Sequence, residues 1–149
     1  MKTKIVIWFF CLSVLCSQFL NAEEQFLSLK KNKVNVRYGA SFDSEIKYIY
    51  NKKNLPIKQI DKKENFRRII DLKNNSGWIH VSQLKKSNSI IILADKILFK
   101  GASNFSKPIA RLKQGRLLVI IKCGDDWCKV KTEDYTGWIK NKNVWGSIK

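Results

Sequence analysis

The chain has 149 residues and a formal charge of +17, from 29 Lys and Arg against 12 Asp and Glu, with one histidine and four cysteines. Charge of one sign points to anionic partners and away from basic ones. A single histidine leaves little room for catalysis built on imidazole groups.

The first 22 residues read as a secretory signal peptide. Lys2 and Lys4 precede an apolar stretch from Ile5 to Cys16, and Leu20-Asn21-Ala22 predicts cleavage after Ala22. The stretch is short for a membrane span, so an uncleaved anchor is the rival reading. Lipidation at Cys16 is disfavoured because Leu15, just before it, is not small. Loss of Lys2 and Lys4 takes the charge from +17 to +15. Export removes nucleic acid from the expected partners. It leaves cell-wall carboxylates, phosphate-bearing head groups and polymers, and acidic proteins, with membrane contact at most peripheral. Part of the excess charge is expected to be a solvated lysine coat.

Residues 23–33 form a lead-in in which Phe26 and Leu29 are able to pack. Val34-Asn35-Val36 alternates as a strand does, and Ile46 to Tyr50 does so less cleanly. Leu55 to Ile60 reads as a strand with Pro56 near its start. Phe66 to Leu72 is rich in β-formers, Asn74-Asn75-Ser76-Gly77 is a turn signal, and Trp78 to Val81 is the next strand. Ser82 to Leu84 reads as a tight helical turn. Residues 85–95 read as a linker, with Ile90 to Leu93 a strand bridging two units. Beyond it come Ile97 to Phe99, Ala110 to Leu112, Leu117 to Lys122, a turn at Gly124-Asp125-Asp126, Trp127 to Lys131, and Trp138-Ile139. Short strands at this spacing predict a small barrel or sandwich.

Two stretches are near copies. Gly39-Ala40-Ser41, Phe66 and Gly77-Trp78-Ile79 are answered by Gly101-Ala102-Ser103, Trp127 and Gly137-Trp138-Ile139, at offsets of 62, 61 and 60. A repeat held with almost no gaps is one small unit used twice, here 34–84 and 96–149. Units of that size have small cores and gain from docking on each other. They also leave no space for one large enzyme core.

Cys123 and Cys128 are the pair left after the signal is removed. An even number in an exported chain, across a four-residue turn, predicts a structural disulfide. A redox role fits less well, since catalytic dithiols sit two residues apart at a helix start. With these thiols paired, His80 has no nucleophile to activate and no set of metal ligands to join, so neither catalysis nor a metal or other cofactor is expected.

These residues resemble the bacterial SH3-like (SH3b) domain family. Val34-Asn35-Val36-Arg37 with Gly39-Ala40-Ser41 is similar to the family's opening, Phe66-Arg67-Arg68-Ile69 to its aromatic and basic strand, and Gly77-Trp78-Ile79-His80 to its close. The layout, with Asn54-Leu55-Pro56-Ile57 and Cys123-Gly124-Asp125-Asp126-Trp127-Cys128, resembles exported two-unit proteins of Gram-negative bacteria. The second copy departs from the pattern at Phe99-Lys100, and no His follows Trp138-Ile139. The resemblance implies an all-β chain of two tandem SH3-like small β-barrels. It implies a non-catalytic periplasmic binding protein contacting peptidoglycan, its stem peptides or another anionic envelope component. An envelope scaffold that binds another protein is the alternative, and a cell-wall amidase or peptidase a remote one.

The identical placement of Trp78 and Trp138 suggests a role in the fold, such as closing the barrel. Tyr38, Phe42, Tyr48, Phe105, Tyr135 and Trp145 have less obvious core duty. Aromatic faces beside cations suit sugar rings and peptide carboxylates. The expected ligand surface is therefore in the first unit: Arg37, Tyr38, Phe42, Tyr48, Arg67, Arg68 and His80.

Overall fold

A computed structural model describes residues 25–148; the signal peptide read over residues 1–22 lies outside the described residues. The described chain is built of strands, with one 3₁₀ turn at Val81–Gln83. The first unit holds β1 (Phe26–Leu29), β2 (Val34–Arg37), β3 (Ile46–Tyr50), β4 (Pro56–Lys63), β5 (Phe66–Ile70), β6 (Ser76–His80) and β7 (Leu84–Lys86). The second holds β8 (Ser89–Ile92), β9 (Lys96–Phe99), β10 (Pro108–Leu112), β11 (Leu117–Cys123), β12 (Trp127–Lys131), β13 (Thr136–Lys140) and β14 (Val144–Gly146).

The strand orders are β3-β2-β6-β5-β4-β1-β7 and β10-β9-β13-β12-β11-β8-β14. Position by position these are the same order, so the duplication covers all seven strands. The chain forms two tandem SH3-like β-barrels. The strands run further than the repeat legible in the sequence. Within the stretch read as a lead-in, β1 pairs with β4 and β7. Within the stretch read as a linker, β7 belongs to the first sheet and β8 to the second, leaving Ser87 and Asn88 between them.

Alternation fills each barrel. Val34, Val36, Ile57, Ile69 and Ile79 join Leu29 in the first core. Ile90, Ile92, Leu98, Leu112, Leu118, Cys128, Val130 and Ile139 form the second. Burying one such aliphatic side chain stabilises by roughly 1.5–3 kcal/mol. The glycine before each repeated tryptophan faces these cores. A Cβ on Gly77 would stand 2.4 Å from Val36 Cγ1, and one on Gly137 would stand 2.6 Å from Phe99 O. No side chain fits where β6 runs against β2 and β13 against β9, which explains why both copies carry glycine there.

The expected disulfide is present. Cys123 and Cys128 are cross-strand partners with Cα atoms 4.0 Å apart, and their bond closes the β11–β12 hairpin.

The two barrels meet along a polar and aromatic seam. Trp145 of β14 donates Nε1–H to Pro56 O at 3.2 Å and meets Phe26 edge-on at 5.1 Å. The buried Ser28 and Ser89 hydroxyls stand 2.7 Å apart. Ser89 also donates to Asn54 O.

Candidate functional site

Antiparallel cross-strand partners share a face, so register places every candidate side chain. In the first unit, Arg37, Trp78, Arg68 and Asp61 form one row across β2, β6, β5 and β4. Phe66 and His80 form the neighbouring pair. Neighbouring residues on these strands point inward: Ile79 and Ile69 are buried in the core, whereas Trp78 is half-buried. The repeated tryptophans therefore stand on the outer face. Barrel closure, the role suggested by their placement, is carried by the aliphatic residues and the glycine beside them.

Phe42 reaches back from the β2–β3 loop over this face. Its ring lies 5.3 Å from Phe66 and 4.8 Å from His80, and the Arg37 guanidinium stands 5.7 Å from its centroid. Arg37 is fixed by donating Nη1–H to Ser44 O at 2.6 Å. Under this cover Phe66 is only 6% exposed, though it belongs to neither core cluster. His80 Nδ1 accepts from Ser82 N at 3.3 Å, capping the 3₁₀ turn.

Of the seven residues expected to form a ligand surface, Arg37, Phe42, Arg68 and His80 come together here. Tyr38 is exposed in the loop, with Lys47 Nζ 5.6 Å from its ring. Tyr48 and Arg67 do not join them. Tyr48 pairs with the core residue Val36 and packs inward. Arg67 pairs with the core residue Ile79 and donates Nη1–H to Glu64 O and Phe66 O, each at 2.9 Å.

Tyr48 is instead part of a structural chain. Tyr50 donates its hydroxyl to Asp71 Oδ2 at 2.8 Å, and the Tyr48 and Tyr50 hydroxyls stand 3.4 Å apart. Burial and these hydrogen bonds push the Tyr50 hydroxyl well above its ordinary range, and burial also raises Tyr48. Burial alone would raise Asp71. Hydrogen bonds from the Asn75 side chain and backbone, Tyr50 and Lys73 outweigh it, and the carboxyl is held below its ordinary value. Thr132 does the same turn-making work in the second unit, accepting from Asp134 N and Tyr135 N.

The matching outer face of the second unit is open. Its row is Phe99, Trp138, Lys129 and Lys122, with Trp127 and Lys140 as the neighbouring pair. The β9–β10 loop is built like its counterpart: Phe105 N donates to Ser103 Oγ at 3.1 Å, as Asp43 N does to Ser41 Oγ. At the position of Phe42, however, this loop carries Asn104. Phe105, the next residue, is fully exposed. Trp127 meets Phe99 edge-on at 5.7 Å.

Two hollows flank Trp127. One, of about 410 Å³, lies between the 102–105 loop, Asp126, Lys140 and Lys142. The other, of about 390 Å³, runs along Lys122, Cys123, Gly124 and Asp125 to Trp138. Ala102, Asp126 and Trp127 line both. Lys140 Nζ stands 5.8 Å from the Trp127 centroid, and Lys122 Nζ 5.4 Å from that of Trp138. The hairpin tip that walls the second hollow is held twice. The disulfide closes its base, and Asn141 donates to Asp126 O at 3.0 Å and to Asp125 O at 2.7 Å. The arrangement offers two indole faces, each with an ammonium beside it, on a fixed backbone. Such a surface stacks on flat or ring-shaped groups and pairs with carboxylates.

The family model described as Bacterial SH3 domain matches this chain twice, over residues 30–86 and 96–146. The chain belongs to the bacterial SH3 domain family. Each match falls within one barrel and leaves out its first strand, β1 or β8. Among solved structures, the chain is similar to NlpC2 from Trichomonas vaginalis, with 12% identity and a TM-score of 0.39, over 83% of this chain and 48% of that one. It is similar to NlpC1 from the same organism at the same identity and TM-score, over 83% of this chain and 46% of that one. The chain spans about half the length of these proteins. No curated protein matches it.

Proposed function

We propose that this protein is a non-catalytic periplasmic binding module that holds peptidoglycan, or its stem peptides, on the outer face of the second barrel. The observation that carries this reading is the uncovered Trp127. The same ring position is roofed by Phe42 in the first unit and has no such roof in the second, with Lys122 and Lys140 beside the half-buried indoles. Sugar rings and peptide planes stack on the indoles, and the lysines meet stem-peptide carboxylates. Arg37 and Arg68, flanking Trp78, give the first barrel a weaker cationic contact with the same polymer. The absence of catalysis is supported by the pairing of Cys123 with Cys128 and by the use of His80 Nδ1 as a cap.

Co-sedimentation with purified sacculi at physiological salt tests this. Retention is expected to exceed that of a charge-matched basic control and to fall at least tenfold in Trp127→Ala. Retention equal to the control would remove the proposal. The fully exposed Phe105 supports a second reading, in which the loop docks on an envelope protein. Phe105→Ala separates the two: it abolishes capture of such a partner and leaves retention on sacculi within twofold.

A further inference from the structure

A second concave site lies away from the aromatic face, between the barrels. A cleft of about 810 Å³ is walled on the first unit by Asn32, Asn51, Lys52, Lys53 and Asn54. The second unit supplies Arg116, Leu117, Val119, Lys131, Thr132 and Glu133. Four cations thus face one space with a single carboxylate among them. Elsewhere many cations are engaged: Arg37, Lys47, Arg67 and Lys96 donate to backbone carbonyls, and Arg111 and Lys113 pair with Asp95. The side chains of Lys52, Lys53, Arg116 and Lys131 have no hydrogen-bond or ion-pair partner among the described residues.

Gathering unpaired like charges costs free energy, and a bound anion reverses the sign of that cost. The cleft is also held in shape by the seam that joins the units. Asn54, which lines it, is tied to both: its N–H donates to Leu29 O at 2.9 Å, and its carbonyl accepts from Ser89 Oγ. The Asn54 side-chain oxygen is buried at this joint without a hydrogen-bond partner.

We propose that the inter-barrel cleft binds a multiply charged oxyanion of the phosphate class, bridging Lys52 and Lys53 of one unit to Arg116 and Lys131 of the other. The fork of Arg116 suits a phosphate edge, and the lysines act as point charges around it. The space exceeds a single phosphate, so the group is one of several in a chain or is carried on a sugar. The site is independent of the Trp127 face.

Calorimetric titration of the whole mature chain at physiological salt tests the proposal, with inorganic tripolyphosphate as the first probe. Saturable one-to-one binding is expected. Lys52→Gln with Lys53→Gln, and separately Arg116→Gln with Lys131→Gln, each weaken it at least tenfold. All four residues are exposed, so folding is expected to survive, as circular dichroism will check. Lys62→Gln with Lys63→Gln removes the same charge from the exposed end of β4 and is expected to change affinity less than twofold. Trp127→Ala is also expected to leave it within twofold, which separates this site from the peptidoglycan reading. Equal losses in the cleft and control pairs, or no saturable binding, would overturn the proposal. Glucose 1,6-bisphosphate identifies the source: tighter binding than tripolyphosphate assigns the cleft to a phosphorylated sugar, and weaker binding to a free polyphosphate.

Discussion

The two barrels share seven strand positions, yet they present opposite outer faces. In the first, Phe42 folds back and buries Phe66, and Arg37 lies over the ring. In the second, Asn104 stands at the same loop position, Phe105 turns out to solvent, and Trp127 is left between two hollows. Within the Gly-Ala-Ser…Ser loop the copies differ at two successive positions, Phe42-Asp43 against Asn104-Phe105, while the Ser41 and Ser103 turns match. What the copies share is therefore support for the fold, and what distinguishes them is surface open to a ligand.

The largest expected effect breaks the shared part. Gly137→Ala drives a methyl group onto Phe99 O and Leu98 Cγ, at 2.6 and 2.8 Å. Overpacking against backbone of this kind costs about 3 kcal/mol. Chemical denaturation is expected to lose that much stability in the second barrel, and Gly77→Ala is expected to do the same to the first.

Next comes a feature of the second barrel alone. Replacing both Cys123 and Cys128 by Ala removes a short cross-link without burying a hydroxyl and is expected to cost about 2 kcal/mol by loop-closure entropy. Cys128 is fully buried in the second core, so the loss falls on that barrel. A calorimetric scan should show the transition of the first barrel unmoved.

The smallest effect belongs to the first barrel. Tyr50→Phe removes the hydrogen bond to Asp71 and is expected to cost about 1 kcal/mol at neutral pH. Because Asp71 titrates below its ordinary 3.8 when folded, the unfolded chain binds more protons in that range. Its contribution is complete above 3.8 and is lost as pH falls through the lower folded value. Asp71→Asn is expected to flatten this acid-side loss, measured by denaturant midpoints across the range. Thr132, its counterpart, does not ionise there; in the second barrel the lowered carboxyl is instead the exposed Asp95, held by Gln114 N and Lys113.

Much of the fold was legible in the sequence. The glycine–aromatic–tryptophan repeat marked the duplication, and the spacing of Cys123 and Cys128 marked the disulfide. Strand β1 was hidden, and β8 was legible as a strand at Ile90 to Leu93 but not as a member of the second unit, because Phe26–Leu29 and Ser89–Ile92 share position and not sequence. Part of the site was legible through strand parity. Counting by two from Phe66 keeps Arg68 on its face and turns Arg67 away, and pairing with Val36 turns Tyr48 inward. Arg37 is next to Tyr38 and Lys47 to Tyr48 along the chain, but neighbours on a strand point to opposite faces. Whether Phe42 covers its neighbours depends on where a loop folds in space, and no local pattern encodes that. The docking role of Trp145 was hidden for the same reason, since Pro56 lies 89 residues away.

The central claim is that one loop residue decides which barrel is open. A reciprocal swap tests it most directly: Phe42→Asn in one variant and Asn104→Phe in another, each assayed for retention on sacculi with folding checked by circular dichroism. Roofing Trp127 by Asn104→Phe is predicted to cut retention at least tenfold, while Phe42→Asn keeps or raises it. Retention unchanged by Asn104→Phe and abolished by Phe42→Asn would place the contact on the first barrel and contradict the account.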